Sequence, residues 1–176
     1  MLLIYTGHNP SALRSRDLLV SALFQLLKTN SFAEITVRQL TQEAQLSRQT
    51  FYQIFSNKTE IVQFRLQTLF IAFQQELAQQ PLTIHTLVSL FFDFYQREAP
   101  LFNTLLDNQL TGLLTTSAKA CLTQLTAPAQ TNRLRYTNSF IAAGLTEVLL
   151  EWHTTQVGSL QSVAAAVEQL LQPESK

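Results

Sequence analysis

The side chains best suited to chemistry are Arg48, Gln49, Tyr52 and Gln53. Steps of three and four set them on one helical face, pointing away from Phe51 and Phe55. All four can hydrogen-bond to DNA. A helix laid in the major groove needs donors in its first turn, and Arg48 and Gln49 sit there, Arg suiting guanine and Gln suiting adenine. That chemistry is recognition, not bond breaking. The chain has no phosphate-binding glycine loop, nucleophile motif or clustered acid–base pair, so a helical enzyme or ligand carrier is the weaker alternative. His8, His85 and His153 lie far apart, without Cys or acidic partners at metal-ligand spacing. No zinc or iron site and no cofactor is expected, and each imidazole reads as surface or partly buried. Cys121 stands alone, which rules out an intramolecular disulfide framework, suits a reducing compartment and reads as a small buried hydrophobe.

Three caps position this cluster. In Thr36-Val37-Arg38-Gln39 the Thr hydroxyl can cap a helix while Gln39 returns a bond to the cap's own backbone. Ser47, eleven positions on, is a second N-cap, and Ala44-Gln45-Leu46 forms the connection of a tight helix-turn-helix. Asn57-Lys58-Thr59-Glu60 repeats the pattern at the start of a long helix, where Lys58 and free N–H groups could dock a phosphate.

Few breakers occur, 4 Gly and 5 Pro in 176 residues, and Leu, Gln and Ala are abundant. An all-α fold follows, with about nine helices: an N-terminal three-helix helix-turn-helix domain over residues 1–57 joined to a C-terminal helical bundle over 58–176. Leu19, Leu23 and Leu26 mark a first helix over about 12–28, and residues 36–55 hold two short helices. Val62, Leu66, Leu69, Phe73 and Leu77 stripe a long helix that joins the lobes and ends before Pro81. Further stripes run through Ile84 to Phe94, Ile141 to Trp152 and Leu160 to Leu170, punctuated by Pro100, Pro128 and Gly158. Between Leu101 and Thr126, where Gly112 interrupts the pattern, one broken helix or two fit equally.

Charge decides little. The 12 Lys+Arg balance 12 Asp+Glu, and residues 1–60 carry only +2 against −2 for the rest, so a polyanionic partner has to be argued from the motif. Met1 to Tyr5 is apolar but too short for a membrane span and lacks a basic lead-in, so a cytoplasmic protein is expected.

The run Ile35-Thr36-Val37-Arg38, Ala44, Leu46-Ser47, Thr50-Phe51-Tyr52, Phe55 and Asn57-Lys58 resembles the DNA-binding domain of TetR/AcrR-type transcriptional regulators, over roughly residues 14–62. The resemblance implies Arg38, Arg48, Gln49 and Tyr52 at or near bases, and Thr36, Ser47, Thr50, Gln53 and Lys58 near phosphates. Two positions depart from the family pattern: Gln45 stands in the turn where Gly is usual, and Ser31 precedes Phe32 where Gly is usual. A left-handed Gln45 would store strain on the order of 1 kcal/mol.

Farther on, Phe140-Ile141-Ala142-Ala143-Gly144 with Glu151-Trp152 resembles the penultimate helix of a subgroup of these regulators, which pairs between subunits together with the last helix. The small residues allow close helix approach, and the final helix is apolar on more than one face, so Ile141, Leu145, Val148, Trp152, Val163, Val167 and Leu170 are expected at a homodimer interface. An intramolecular core is the other reading of them. Phe91, Phe94, Tyr95 and Phe102 read as core or, less simply, as the lining of a pocket for a small-molecule effector. The function implied is a repressor that binds a pseudo-palindromic operator in double-stranded DNA as a dimer and is released by an effector. The closer alternative is a co-regulator of the same fold that binds a small molecule or partner protein without reading DNA.

Overall fold

Sparse breakers and dense Leu and Ala give helices joined by short turns. The computed structural model describes residues 9–126 and 131–171, and among these residues there are nine helices and no strand. They are α1 (Pro10–Leu26), α2 (Val37–Glu43), α3 (Arg48–Ile54), α4 (Lys58–Leu77), α5 (Ile84–Arg97), α6 (Ala99–Asp107), α7 (Thr111–Leu125), α8 (Asn132–Thr155) and α9 (Leu160–Leu171). None is long and apolar enough to cross a membrane. His8, Pro128 and the Met1–Tyr5 segment lie outside the described residues.

The chain divides into two compact units, Met1–Thr68 and Leu69–Lys176. The division falls inside α4, eleven residues beyond the boundary expected at residue 57, because Ile61, Val62 and Leu66 are wholly buried and extend the first core into the long helix.

In the first unit α1, α2 and α3 pack on one another. Asn9 caps α1 by accepting the Ser11 N–H at 3.0 Å, and Pro10 takes the first turn, where its missing donor costs nothing. Leu19, Leu23, Ile35, Leu40, Phe51 and Phe55 are almost fully buried. Burying so many large side chains at roughly 1.5–3 kcal/mol each is what holds two seven-residue helices that could not persist alone.

In the second unit α7 and α8 form the most extensive helix pair, followed by α5 with α9. Thr115 and Thr146 share a hydrogen bond of 2.7 Å across the α7–α8 seam, and Gln74 donates to the Cys121 carbonyl at 3.0 Å. Residues 101–126 resolve into two helices. The break is not at Gly112, which lies in the first turn of α7, but at Gln109, whose φ of 58° ends α6. Leu110 N–H bonds back to Leu105 C=O and Gln109 N–H to Leu106 C=O, the paired closure of a left-handed helix stop.

Candidate nucleic-acid interface

The turn between α2 and α3 is built from local bonds. Thr36 accepts the Gln39 N–H at 3.2 Å, and Gln39 Oε1 accepts the Thr36 N–H at 2.8 Å, so α2 opens with both arms of its box closed. At its other end Leu46 N–H reaches Thr41 C=O at 2.9 Å and Gln45 N–H reaches Gln42 C=O at 3.1 Å. That closure requires a left-handed residue between them, and Gln45 supplies it at φ 54°. Ser47 then starts α3, accepting the Thr50 N–H at 3.0 Å.

Two turns of α3 separate two faces. Phe51, Ile54 and the following Phe55 point into the core, while Arg48, Gln49, Tyr52 and Gln53 are exposed, Tyr52 at 61%. Tyr52 leans edge-on against Phe51, with ring centroids 5.1 Å apart, which limits its rotamers without burying its hydroxyl. Arg38, Thr36 and Ser47 are exposed beside them, and Thr50 is half-buried. The hydroxyls of Thr36, Ser47 and Thr50 already take part in cap bonds.

Lys58 departs from its expected place. Its ammonium donates to the carbonyls of Phe32, Ala33 and Ile35, and lies 4.6 Å from the centre of the Phe32 ring. An ammonium has three donors, and all three are occupied, so Lys58 clamps the α1–α2 connection and leaves none for a phosphate. Burial pushes its pKa down from the usual lysine range. The start of α4 is also closed: Asn57 Oδ1 accepts the Glu60 N–H at 3.1 Å, while Glu60 turns back to the Ser56 N–H at 2.7 Å.

The connection ahead of α2 has a short-range sequence signal of its own. Ser31-Phe32-Ala33-Glu34 is an S-x-x-E box. Glu34 accepts the Ser31 hydroxyl at 2.7 Å and its N–H at 3.3 Å, and these bonds hold its carboxyl below the usual range. Ser31 thus gives the turn a hydroxyl that a glycine could not. Arg16 stacks its guanidinium 4.3 Å from the Phe64 ring and pairs with Asp17, fixing α1 to the first turns of α4.

Phe91, Phe94, Tyr95 and Phe102 are each at most 5% exposed. Phe102 packs edge-on against Phe91 and Tyr95, Tyr95 against Trp152, and Phe94 against Phe73. They fill a core, with the Tyr95 hydroxyl spent on Asn103 at 2.8 Å, instead of surrounding an opening. Of the residues expected at a dimer interface, Ile141, Leu145 and Val167 are buried within the chain, where α8 packs chiefly on α7 and α9 on α5. Their side chains serve the protomer's own core. Val148, Trp152 and Val163 are half-buried and share a shallow cleft with Glu147, Glu151 and Val157, and Leu170 is 83% exposed. His85 and His153 each face one carboxylate, Glu168 at 2.8 Å and Asp107 at 2.7 Å.

The family model for bacterial regulatory proteins of the tetR family matches residues 19–63, which span α1 from Leu19 through the opening turns of α4. No curated protein sequence matches the chain. Among solved structures, Lin0861 from Listeria innocua superposes with a TM-score of 0.79 at 13% identity, covering 94% of this chain and 93% of the other. The TetR family repressor AlkX from Dietzia sp. strain DQ12-45-1b, implicated in n-alkane biodegradation, gives 0.61 at 18% identity, over 88% and 93%. The fatty acid degradation regulator FadR from Bacillus halodurans gives 0.60 at 16%, over 96% and 98%. At such identities the likeness is one of fold.

Proposed function

Taking as premise that the chain is a TetR-family regulator by its N-terminal domain, we propose that it binds double-stranded DNA as a homodimer and represses transcription from a pseudo-palindromic operator. The observation that carries this reading is α3: a two-turn helix whose inner face is wholly buried and whose outer face presents Arg48, Gln49, Tyr52 and Gln53 without a competing internal role. Arg48 and Gln49, in the first turn, are the base readers, joined by Tyr52 and by Arg38 from α2. Thr36, Ser47, Thr50 and Gln53 sit along the phosphates and set position, not sequence. Lys58 acts one step back, by holding the connection that seats α2.

One recognition helix spans too few base pairs for a specific site, and a two-fold partner supplies a second copy about one helical turn away. The protein acts in the cytoplasm, where its operator is. A small-molecule effector that entered between α5 and α6 would part the aromatic core around Phe102, since those rings already fill that space.

The test is selection of duplexes from a random library by the purified protein at a fixed, near-physiological salt concentration, with the bound pool sequenced. A pseudo-palindrome is the expected product. A weak, salt-sensitive background with no motif would remove the DNA-reading function and leave the co-regulator.

A further inference from the structure

Where α7 ends and α8 begins, the two helices part around a cleft of about 370 Å³, lined by Thr123 and Thr126 on one side and Asn138 on the other, with the exposed Lys119 and Arg135 at its mouth. That is the size of a small-molecule site. It shares no residue with the aromatic core around Phe102 or with the outer face of α3. Positive charge gathers here. The second unit holds more Asp and Glu than Lys and Arg, yet between Asp107 and Glu147 the chain has no acid, and Lys119 and Arg135 both fall in that stretch. Among the described residues neither belongs to an ion pair. The positive end of a 24-residue helix adds to the same field.

The walls, by contrast, offer acceptors. Thr123 gives its hydroxyl proton to the Lys119 C=O at 2.8 Å and Thr126 gives its own to the Leu122 C=O at 2.9 Å, which leaves the Thr123 oxygen able to accept. Asn138 is the second, independent observation. It is only 5% exposed, and its Nδ2 donates to the Thr126 hydroxyl oxygen at 2.8 Å. Its Oδ1 accepts nothing among the described residues, and since no fully enclosed side-chain atom is left unpartnered, that oxygen opens on the cleft. A buried amide that holds an unused acceptor toward a polar cavity costs stability unless something there donates to it.

We propose that this cleft binds a phosphate monoester carried on a small hydroxylated body, a sugar phosphate. Such a phosphate carries about −1.5 to −2 charges at neutral pH and three acceptor oxygens, which two cations with no competing acid match in sign and size. Arg135 suits it through the paired donors of its guanidinium, and Lys119 as a point charge. The interior selects against a bare anion, because Asn138 Oδ1 and the Thr123 oxygen have nothing to donate to it. Both take hydroxyl protons. A ligand with its anionic group at the mouth and its hydroxyls inward satisfies the two ends of the cleft at once. The site draws on no residue of the first unit and stands independently of the DNA reading.

Isothermal titration calorimetry of the full chain tests this, with glucose 6-phosphate, ribose 5-phosphate and inorganic phosphate as probes and circular dichroism confirming that each variant folds. At least one sugar phosphate saturates the protein, and does so more tightly than inorganic phosphate. Lys119→Ala and Arg135→Ala, both at exposed positions, each weaken that binding about tenfold. Thr123→Val weakens it several-fold and leaves inorganic phosphate as it was. Arg133→Ala, which removes a cation outside the cleft, changes nothing. In an isotope-labelled chain the NMR signals of the Asn138 side-chain amide move on saturation. Neither heat nor a shift of that amide with either sugar phosphate at millimolar concentration overturns the site, as does a loss in Arg133→Ala equal to that in Arg135→Ala. Inorganic phosphate binding as tightly as both sugar phosphates overturns the ligand class. None of these results bears on whether α3 reads DNA.

Discussion

Replacing Lys58 by Met keeps the length and packing of the stem and removes only the ammonium. Three charge-assisted bonds to Phe32, Ala33 and Ile35 carbonyls are lost, together with the contact over the Phe32 ring. Hydrogen bonds to a charged group contribute about 1.5–3 kcal/mol apiece, but three that share one ammonium do not add, and a half-buried ammonium loses part of its hydration to form them. The cation–ring contact adds about 0.5–1 kcal/mol. A net loss of about 2–3 kcal/mol is expected, read as a lower urea midpoint for the helix-turn-helix unit in the absence of DNA. The selected operator supplies the second readout. If Lys58 is a clamp, operator affinity at temperatures well below unfolding keeps its dependence on salt. If it is a phosphate contact, the slope of log affinity against log salt falls by about one and stability hardly changes. A stability change under about 0.5 kcal/mol with the reduced slope would refute the clamp.

Four further outcomes are expected. Arg48→Ala and Tyr52→Ala each lower operator affinity by about 1–3 kcal/mol in fluorescence anisotropy while leaving sedimentation unchanged, because both side chains lie outside the core. Gln45→Gly raises the thermal midpoint by releasing a left-handed side chain, a gain of about 0.5–1 kcal/mol after the extra freedom of the unfolded glycine, while Gln45→Ala gains nothing. The Cys121 thiol, pushed up to about 12 by burial, resists alkylation at mildly alkaline pH in the native chain and reacts readily in urea. Glu168 is held below the usual carboxylate range by His85 and then by Ser89, so its stabilising contribution is present at neutral pH and fades as acid protonates it. Glu168→Gln should flatten the acid limb of the stability curve, and parallel limbs would count against the pairing.

What the sequence determined by itself was local. The caps at Thr36 and Ser47, the turn at Gln45, the two faces of α3 and the limits of α4 depend on residues three to five apart, so their spacing announces them. The same locality makes the S-x-x-E turn at Ser31 readable from its spacing. The tertiary structure alone decided matters of distant approach. Lys58 looked like a phosphate donor because its own neighbourhood is a helix start, and only folding brings carbonyls more than twenty residues earlier within reach of it. Phe91, Phe94, Tyr95 and Phe102 have the composition of a pocket wall or a core, and packing against Phe73 and Trp152 settles them as core. On α8, apolar residues occur on both sides, so periodicity could not choose which side turns outward. Ile141 and Leu145 are claimed by the protomer because α6, α7 and α9 press on that side, and Tyr136 and Phe140 are left to the solvent.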